Sequence, residues 1–278
     1  MRLAVVQVRD VAAEVPARAA HCLGTLRVCA DAGAGLVLFP ELYLGGYVLD
    51  QQLALKAAQA ERSLPRLQAA VDELGVSAVL GLPVMQGEAL LNAVAVLRPR
   101  QASLVAAKTH LFQVEKEWFT PGSGFWTGAL AGWQAGTLVC YELGFPEVAR
   151  VLALRGARLL LAPSAFAARR AHIWRTATVS RALENGCYLA AANTAGPGQR
   201  GDYLGMSRIV DPRGTVVAEA GAGDEVLFAD LDAALVDEVR AGDGGGHTYF
   251  VDRRPELYGE ISRQGEPGSC TSARRPLH

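Results

Sequence analysis

The sequence lacks a long apolar run and an excess of charge of either sign, and each absence excludes a class of protein. No stretch approaches the roughly 18 uncharged apolar residues of a membrane-spanning helix, and the apolar run before Arg9 is too short for a signal peptide. Lysine and arginine number 27 against 28 aspartate and glutamate, so the net charge of −1 gives no general attraction to nucleic acid or to a membrane surface. We therefore expect a cytoplasmic protein whose partners are recognised at a local site.

The sequence also lacks paired cysteines. Its five cysteines are scattered without a Cys-x-x-Cys spacing, which favours neither a disulfide framework nor a zinc site. Cys22, Cys29 and Cys187 lie inside apolar stretches, where a cysteine is usually just a small apolar side chain. Cys140 differs, because in "LVCYELGFPEV" it ends an apolar run immediately before a turn into a predicted helix. Cys140 is therefore the candidate catalytic nucleophile among the five cysteines.

What the sequence does contain is an alternation of short apolar runs with longer helical patterns. With 50% hydrophobic residues, a chain of 278 residues can bury a large core as one domain. The apolar runs predict strands of a sheet covered on both faces at 3–8, 35–40, 77–84, 92–97, 103–108, 136–141, 157–164 and 187–193. The helical patterns cover 16–33, 51–74, 146–156 and 168–186. This alternation predicts an α/β fold.

The C-terminal third has a different pattern. In "SRIVDPRGTVVAEAG", two short strands flank a turn at 212–214, and "EVLFADLD" follows as a third strand, which predicts an antiparallel meander. The polar end "RQGEPGSCTSARRPLH" has the composition of a frayed terminus. We expect a single domain over residues 1–259 and a tail over 260–278 that is flexible or packed at an interface.

Three predicted strands end at or just before side chains that could act together in catalysis: a carboxylate, an ammonium and a thiol. A nucleophilic thiol needs a group that takes its proton and another that stabilises the oxyanion. Glu41 follows the strand "GLVLFP", Lys108 ends "SLVAAK", and ligands of open α/β sheets bind at the carboxyl ends of strands. Lys108 would lower the pKa of the Cys140 thiol, and Glu41 would act as general base. Each group alone is more often structural; their coincidence favours catalysis.

Four stretches carry a family resemblance: "FPELYLGGY", "AAKTHLFQVEKEWFTPG", "LVCYELGFPEVARVLALRGARLLLAPSA" and "RALENGCYLAAANTAG". In this order they resemble the signature blocks of the nitrilase superfamily of carbon-nitrogen hydrolases, in its amidase-like branch. The resemblance implies an α-β-β-α sandwich of two mixed sheets flanked by helices. It also implies a homodimer or higher homo-oligomer and a catalytic triad of Glu41, Lys108 and Cys140.

The resemblance further implies residues that position the substrate. A second glutamate, Glu115 or alternatively Glu117, would orient the amide nitrogen. The Tyr141 backbone N–H would bind the oxyanion. The other residues implied at the pocket are Ala165, Phe166 and Asn193.

The function implied is hydrolysis of the non-peptide C–N bond of a small amide through a cysteine thioester, without metal or organic cofactor. The pair Tyr141 and Glu142 after the nucleophile favours an amidase, since nitrilases tend to carry tryptophan and glutamate there. A nitrile or N-carbamoyl hydrolase is the alternative within the superfamily, and a non-catalytic binding subunit is the alternative from another class. His110 could serve as the base of a Cys-His dyad, but the resemblance gives it a structural role.

Overall fold

Two curved mixed sheets and their covering helices form the molecule, which is described here by a computed structural model covering residues 1–9, 14–199, 201–242 and 248–263. The strands within these ranges are β1 (Arg2–Arg9), β2 (Leu36–Leu38), β3 (Ser77–Gln86), β4 (Ala89–Leu97), β5 (Leu104–Ala107), β6 (Thr127–Leu130), β7 (Trp133–Thr137), β8 (Leu159–Ser164), β9 (Tyr188–Gly196), β10 (Tyr203–Leu204), β11 (Arg208–Val210), β12 (Val216–Glu219) and β13 (Glu225–Asp230). The α-helices are α1 (Val15–Asp31), α2 (Leu53–Leu74), the single turn α3 (Glu115–Trp118), α4 (Pro146–Leu154), α5 (Ala171–Leu183) and α6 (Ala233–Ala241).

The first sheet has the strand order β5-β4-β3-β2-β1-β13 and the second has β6-β7-β8-β9-β11-β12. In each sheet three central strands run parallel, β1 to β3 in the first and β7 to β9 in the second, and antiparallel strands flank them. The two sheets are joined where the end of β1 pairs with β9, at Val8 with Thr194 and Arg9 with Ala195. This connection makes the two sheets one continuous curled surface.

Side-chain alternation along β1 shows how the layers pack. Leu3 and Val5 belong to the core that also contains Leu161 and Leu189 of the second sheet. The alternate side chain Val6 belongs to a separate core with residues of α1 and α2. A strand presents successive side chains to opposite faces, so the first sheet is covered by the second sheet on one face and by helices on the other. The predicted α-β-β-α sandwich is confirmed.

The predicted strand 136–141 ends earlier in the structure than expected. The run 136–141 was expected to be extended through Cys140, but β7 ends at Thr137 and Cys140 begins a 3₁₀ turn, Cys140–Gly144. The turn forms because Cys140 has a positive φ of 49°, which an extended strand does not allow, and because the Glu142 side chain accepts a hydrogen bond from the Val139 N–H at 2.6 Å. The nucleophile candidate therefore lies on a turn.

The predicted hairpin is present as β11 and β12, with the Gly214 N–H donating to the Asp211 carbonyl at 2.9 Å within the turn. The predicted three-stranded meander is wrong, because the third strand, β13, crosses to the first sheet and pairs with β1. The short strands β6 and β10 and the helix α6 were not predicted. In the expected tail, Gly259–Ser262 forms a 3₁₀ turn, and residues 264–278 lie outside the described residues. Within the described ranges, no helix has the length and apolar character needed to cross a membrane.

Candidate active site

Three loops that follow strands of the two sheets bring the predicted triad together. Glu41 lies just beyond β2 and Lys108 directly beyond β5, both in the first sheet, whereas Cys140 follows β7 of the second sheet. All three are buried, with 2%, 1% and 8% of the residue surface exposed. The site therefore lies between the two sheets, and the sequence-based expectation that these side chains converge agrees with the geometry.

Lys108 is held between two carboxylates. Its Nζ lies 2.6 Å from Glu41 Oε1 and 2.9 and 2.8 Å from the two oxygens of Glu115. Burial alone would lower the pKa of Lys108, but the negative charges of Glu41 and Glu115 outweigh it and raise the pKa above the ordinary lysine value. The Lys108 ammonium therefore stays protonated and supplies a permanent positive charge in the site.

Glu115, and not Glu117, is the second glutamate of this cluster. Glu115 is fully buried at the start of α3, whereas Glu117 is exposed. One Glu115 oxygen accepts a hydrogen bond from the Phe112 N–H at 2.7 Å, and the other accepts one from the Tyr47 hydroxyl. With Lys108 as a further donor, the Glu115 carboxylate is fixed in one orientation beside the ammonium.

Glu41 has the environment of a general base that can also hold a proton. Burial raises its pKa, and the opposing effects of Lys108 and of a hydrogen bond from Asn92 only partly offset the rise. Asn92 Nδ2 donates to Glu41 Oε1 at 2.8 Å, the same oxygen that contacts Lys108, while Oε2 accepts from the Ala165 N–H at 3.1 Å. A carboxyl group with a raised pKa can accept and return a proton near neutral pH.

Lys108 lowers the pKa of the Cys140 thiol, as expected, but the net shift of this pKa is upward. Burial raises the pKa of Cys140 well above its ordinary value and the Glu41 charge raises it further, whereas Lys108 and the Ala165 N–H lower it by less. Burial is the largest cause of the upward shift, and the two carboxylates add to it more than the one ammonium offsets. Deprotonation of Cys140 therefore requires transfer of its proton to a base in the site.

Glu142 fixes the turn that presents Cys140. Its Oε1 accepts hydrogen bonds from the Thr109 N–H at 2.7 Å and the Thr109 hydroxyl at 2.6 Å, so the carboxylate ties the loop after Lys108 to the Cys140 turn. Burial raises the pKa of Glu142, but hydrogen bonds from His110, Thr109 and Val139 outweigh this effect and lower the pKa.

The backbone is strained at one member of the predicted triad and beside another. Cys140 itself has a positive φ, and so does Leu42, the residue after Glu41.

The remaining predicted positions surround this core. Tyr141 is half-buried and its ring packs against Phe112 at 5.1 Å between ring centroids. The Phe166 N–H donates to Asn193 Oδ1 at 2.7 Å, and Asn193 is fully buried. Asn193 thus supports the backbone of the loop after β8, where Ala165 contacts Glu41, and its role there is to hold this loop in place.

The His110 side chain is directed to Glu142 and not to the thiol. Its Nδ1 lies 2.8 Å from the Thr109 hydroxyl and 3.8 Å from Glu142 Oε1, and its ring packs against Phe145 with centroids 4.3 Å apart. This arrangement gives His110 a structural role in the loop after Lys108.

Two site residues were missed by the sequence analysis. Tyr47 and Asn92 donate to Glu115 and Glu41 respectively. Tyr47 ends the stretch "FPELYLGGY" that contains Glu41, and Asn92 begins the predicted strand 92–97, but neither residue was singled out. The signal for Asn92 was its polar side chain at the start of the apolar run 92–97, since a buried amide must find hydrogen-bond partners. Within the described part of the chain, no group of three or more His, Cys, Asp or Glu side chains is arranged to hold a metal ion.

Comparison with known proteins agrees with this geometry. Residues 2–241 match the model of the carbon-nitrogen hydrolase family, and the chain belongs to that family. It is 32% identical to an (R)-stereoselective amidase from a Pseudomonas species, over 94% of each chain. It is 28% identical to the 2-oxoglutaramate amidase of Bacillus subtilis, over 81% of this chain and 87% of that one.

Solved structures of amidases share the fold. The protein superposes with a TM-score of 0.83 on a double mutant of the amidase from Nesterenkonia sp. AN1 in complex with acrylamide. The two chains are 29% identical, and the match covers 94% of this chain and 97% of that chain. The expected membership of the nitrilase superfamily and the expected carbon-nitrogen hydrolase activity are thereby confirmed at the level of the family.

Proposed function

We propose that this carbon-nitrogen hydrolase converts a small amide to a carboxylate and ammonia through a thioester on Cys140. The observation that carries the proposal is the buried Lys108 ammonium, bonded to Glu41 and Glu115 in the same closed site as the thiol. A buried charge cluster is costly to build, and perturbed titratable groups of this kind concentrate at functional sites.

In the first step, Cys140 Sγ attacks the amide carbon while the thiol proton passes to Glu41. Glu41 Oε1 accepts hydrogen bonds from Asn92 and Lys108, whereas Oε2 accepts only one, from the Ala165 N–H, so Oε2 has a lone pair available to take this proton. The negative charge that develops on the amide oxygen is stabilised by the Lys108 ammonium and by the Tyr141 backbone N–H. Glu115 holds Lys108 in place and orients the amide nitrogen.

In the second step, the tetrahedral intermediate expels the amide nitrogen, which receives the proton from Glu41 and leaves as ammonia. Water then attacks the thioester carbon while Glu41 takes a proton from the water. The C–S bond breaks, Glu41 returns the proton to the departing sulfur so that the thiol is restored, and a carboxylic acid is released. Glu41 thus acts alternately as acid and base, which its raised pKa suits.

An amide substrate is favoured over a nitrile by the relatives. An (R)-stereoselective amidase and an acrylamide-bound amidase are among the proteins similar to this chain. The chain is also 34% identical, over 81% of its length, to a nitrilase from Pyrococcus abyssi. Nitriles are therefore tested as alternative substrates, together with N-carbamoyl compounds.

We also propose that the enzyme is a cytoplasmic homodimer or higher homo-oligomer. Apolar side chains are exposed on α4 and on the C-terminal segment, with Leu154 49%, Leu257 59% and Ile261 63% exposed. Exposed apolar surface of this kind commonly marks a protein interface. Light scattering on the purified full chain measures the oligomer size, and a monomer at all concentrations would contradict this proposal.

The test is ammonia release from a panel of linear amides, N-carbamoyl compounds and nitriles. Cys140→Ala should abolish release while the variant keeps its thermal unfolding midpoint within a few degrees. Cys22→Ala is the matched control, because Cys22 is a buried cysteine of α1 outside the site. Intact-mass measurement after mixing should show an acyl adduct on the wild type and none on Glu41→Gln. Near-full activity of Cys140→Ala would refute the mechanism.

A further inference from the structure

A chain of buried polar side chains runs from the join between the two sheets to the loop that contacts Glu41. Its members are Gln7 of β1, Ser207 just before β11 and Asn193 of β9, and their residue surfaces are 1%, 0% and 0% exposed. A buried polar side chain is costly unless its hydrogen bonds are made, so a linked set of three needs a reason. None of the proposed reaction steps uses Gln7 or Ser207.

Every polar atom of these three side chains has a hydrogen-bond partner. Gln7 Oε1 accepts from the Ser207 N–H at 2.8 Å. Gln7 Nε2 donates to the carbonyls of Gly221 and Gly223 at 2.8 and 2.7 Å. Ser207 Oγ accepts from the Asn193 N–H at 2.8 Å, and both polar atoms of the Asn193 side chain are bonded. A fully satisfied network of this kind holds its members in one arrangement.

The network fills a gap in the strand pairing of β9. The first part of β9 pairs with β11 and its end pairs with β10. Between the two, the pairing chain passes through Gly205 and Met206, whose positive φ values of 63° and 53° interrupt the ladder. The Asn193 N–H in this gap is bonded by Ser207 Oγ, and Asn193 Nδ2 donates to the Gly205 carbonyl at 2.7 Å. Irregular strand pairing is frequent beside active sites, where it re-aims side chains.

The network ends at the loop that follows β8. Asn193 Oδ1 accepts from the Phe166 N–H at 2.7 Å, and the Phe166 carbonyl accepts from the Leu204 N–H at 2.8 Å. Both backbone polar groups of Phe166 are therefore held in place. The N–H of the preceding residue, Ala165, donates to Glu41 Oε2 at 3.1 Å. The orientation of this N–H thus depends on the network behind it.

The Ala165 N–H contacts both groups that exchange the thiol proton. It donates to Glu41 Oε2, the oxygen that takes this proton, and a hydrogen bond from the same N–H lowers the pKa of Cys140. Proton transfer needs its two heavy atoms within hydrogen-bond reach, and a misplacement of about 1 Å can lower a rate by about 100-fold. The position of one backbone N–H therefore affects the alignment of acid and base.

We propose that Ser207 is a positioning residue for the transfer of the Cys140 proton to Glu41. It acts through Asn193, which holds the loop whose Ala165 N–H contacts both groups. This proposal rests on the proposed amide hydrolysis and adds to it a fully buried residue that acts at one remove from the reacting atoms.

The first measurement is the steady-state kinetics of Ser207→Ala, which removes the hydroxyl and leaves the side-chain volume nearly unchanged. The kcat for ammonia release should fall by about tenfold to 100-fold, because acid and base are no longer held in line. The KM for the same amide should change by about twofold or less, because Ser207 does not bind the substrate.

The second measurement is the pH profile of kcat/KM. Its acidic limb should move to higher pH in Ser207→Ala, because a weaker hydrogen bond to the Glu41 carboxylate raises the pKa of Glu41. The variant leaves unchanged the other titratable groups around Glu41, namely Tyr47, Lys108, Glu115 and Cys140. A moved limb therefore reports on the hydrogen bond from the loop.

Thr178→Val is the matched control. The Thr178 hydroxyl is a fully buried group of α5 that donates to the Trp174 carbonyl at 2.8 Å and accepts from Arg208 at 3.2 Å. Its removal should lower the unfolding midpoint as Ser207→Ala does, because each variant loses a buried hydroxyl. The kcat and the acidic limb of Thr178→Val should equal those of the wild type.

Two further readouts need no turnover. Alkylation of Cys140 by iodoacetamide at about pH 8 should be about threefold to tenfold slower in Ser207→Ala, because the thiolate fraction falls when the pKa of Cys140 rises. In the wild type, the amide hydrogens of Ala165 and Phe166 should exchange as slowly as those of β9, although they lie in a loop. The exchange measurement holds even if Ser207→Ala does not fold.

The proposal is overturned if Ser207→Ala keeps kcat within about twofold, or if its acidic limb and alkylation rate equal those of the wild type, which would make Ser207 a residue of stability alone. Rapid exchange of the Ala165 and Phe166 amides in the wild type would also overturn it. Failure of the underlying function has a separate signature, because no amide would then release ammonia while alkylation and exchange could still be measured.

Discussion

Gly81 controls the position of Glu41 through a close contact between two backbones. Gly81 lies in β3, and the chain from Pro40 to Leu44 runs directly across it, with the Gly81 N–H donating to the Pro40 carbonyl at 3.1 Å. A Cβ atom added at Gly81 would lie 2.3 Å from the Leu42 nitrogen and 2.6 Å from the Glu41 Cα. The contacting atoms are backbone atoms, so no side chain can rotate away.

The size of the effect follows from these distances. Ordinary contacts of a Cβ atom begin at 3.4 Å, so Gly81→Ala must separate the two segments by about 1 Å at the residue that precedes Leu42. A displacement of a catalytic group by 1 Å can lower the rate by about 100-fold. Overpacking of a buried site costs about 1–3 kcal/mol of stability, and each kcal/mol lowers the unfolding midpoint by roughly 2–4 °C in a chain of this size.

The assay measures kcat for ammonia release and the thermal unfolding midpoint of Gly81→Ala beside those of Gly24→Ala. Gly24 lies within α1 and a Cβ there would meet nothing within 4 Å, so this control should keep kcat and gain up to about 1 kcal/mol. If Gly81→Ala retained kcat within twofold and its unfolding midpoint, the reasoning that the close approach fixes Glu41 would be refuted.

Two further predictions concern the carboxylates of the site. Asn92→Leu should lower kcat by about tenfold to 100-fold, because a buried bond to a charged group is lost. The same variant should move the acidic limb of the kcat/KM pH profile to higher pH, because the bond from Asn92 lowers the pKa of Glu41; an unmoved limb would show that Asn92 does not act on Glu41. The pKa of Glu142 is lower in the folded protein than the ordinary glutamate value of about 4.3, so its stabilisation is present above that pH and is lost as the pH falls. Unfolding midpoints measured from about pH 6 down to about pH 2 should therefore fall more steeply for the wild type than for Glu142→Gln, and parallel curves would contradict this.

Sequence patterns predicted the strands of the sandwich well because most of them are buried on both faces. The continuous apolar runs that became β1, β3, β8 and β9 are of this kind. The strand β6 has only one buried residue and β10 spans two residues, so neither contains enough apolar residues to be recognised. Their pairing depends on neighbours that the chain brings together only in the folded state.

The candidate site was predictable to the extent that it lies at strand ends. The apolar runs before Glu41, Lys108 and Cys140 predicted the positions of these residues, but they did not predict the direction in which the pKa of the Cys140 thiol is shifted. Its pKa depends on burial and on two carboxylates distant in sequence, and these effects cannot be weighed without coordinates.

The division of the site between the two sheets has a consequence for the newly made chain. The acidic and basic groups are complete once residue 115 has been synthesised, but the thiol and its supporting loops belong to the second half of the chain. Moreover, β1 pairs along most of its length with β13, which ends at Asp230. An incomplete chain therefore cannot close the sandwich around the charged groups, so the proposed hydrolysis can begin only after nearly the whole polypeptide has folded.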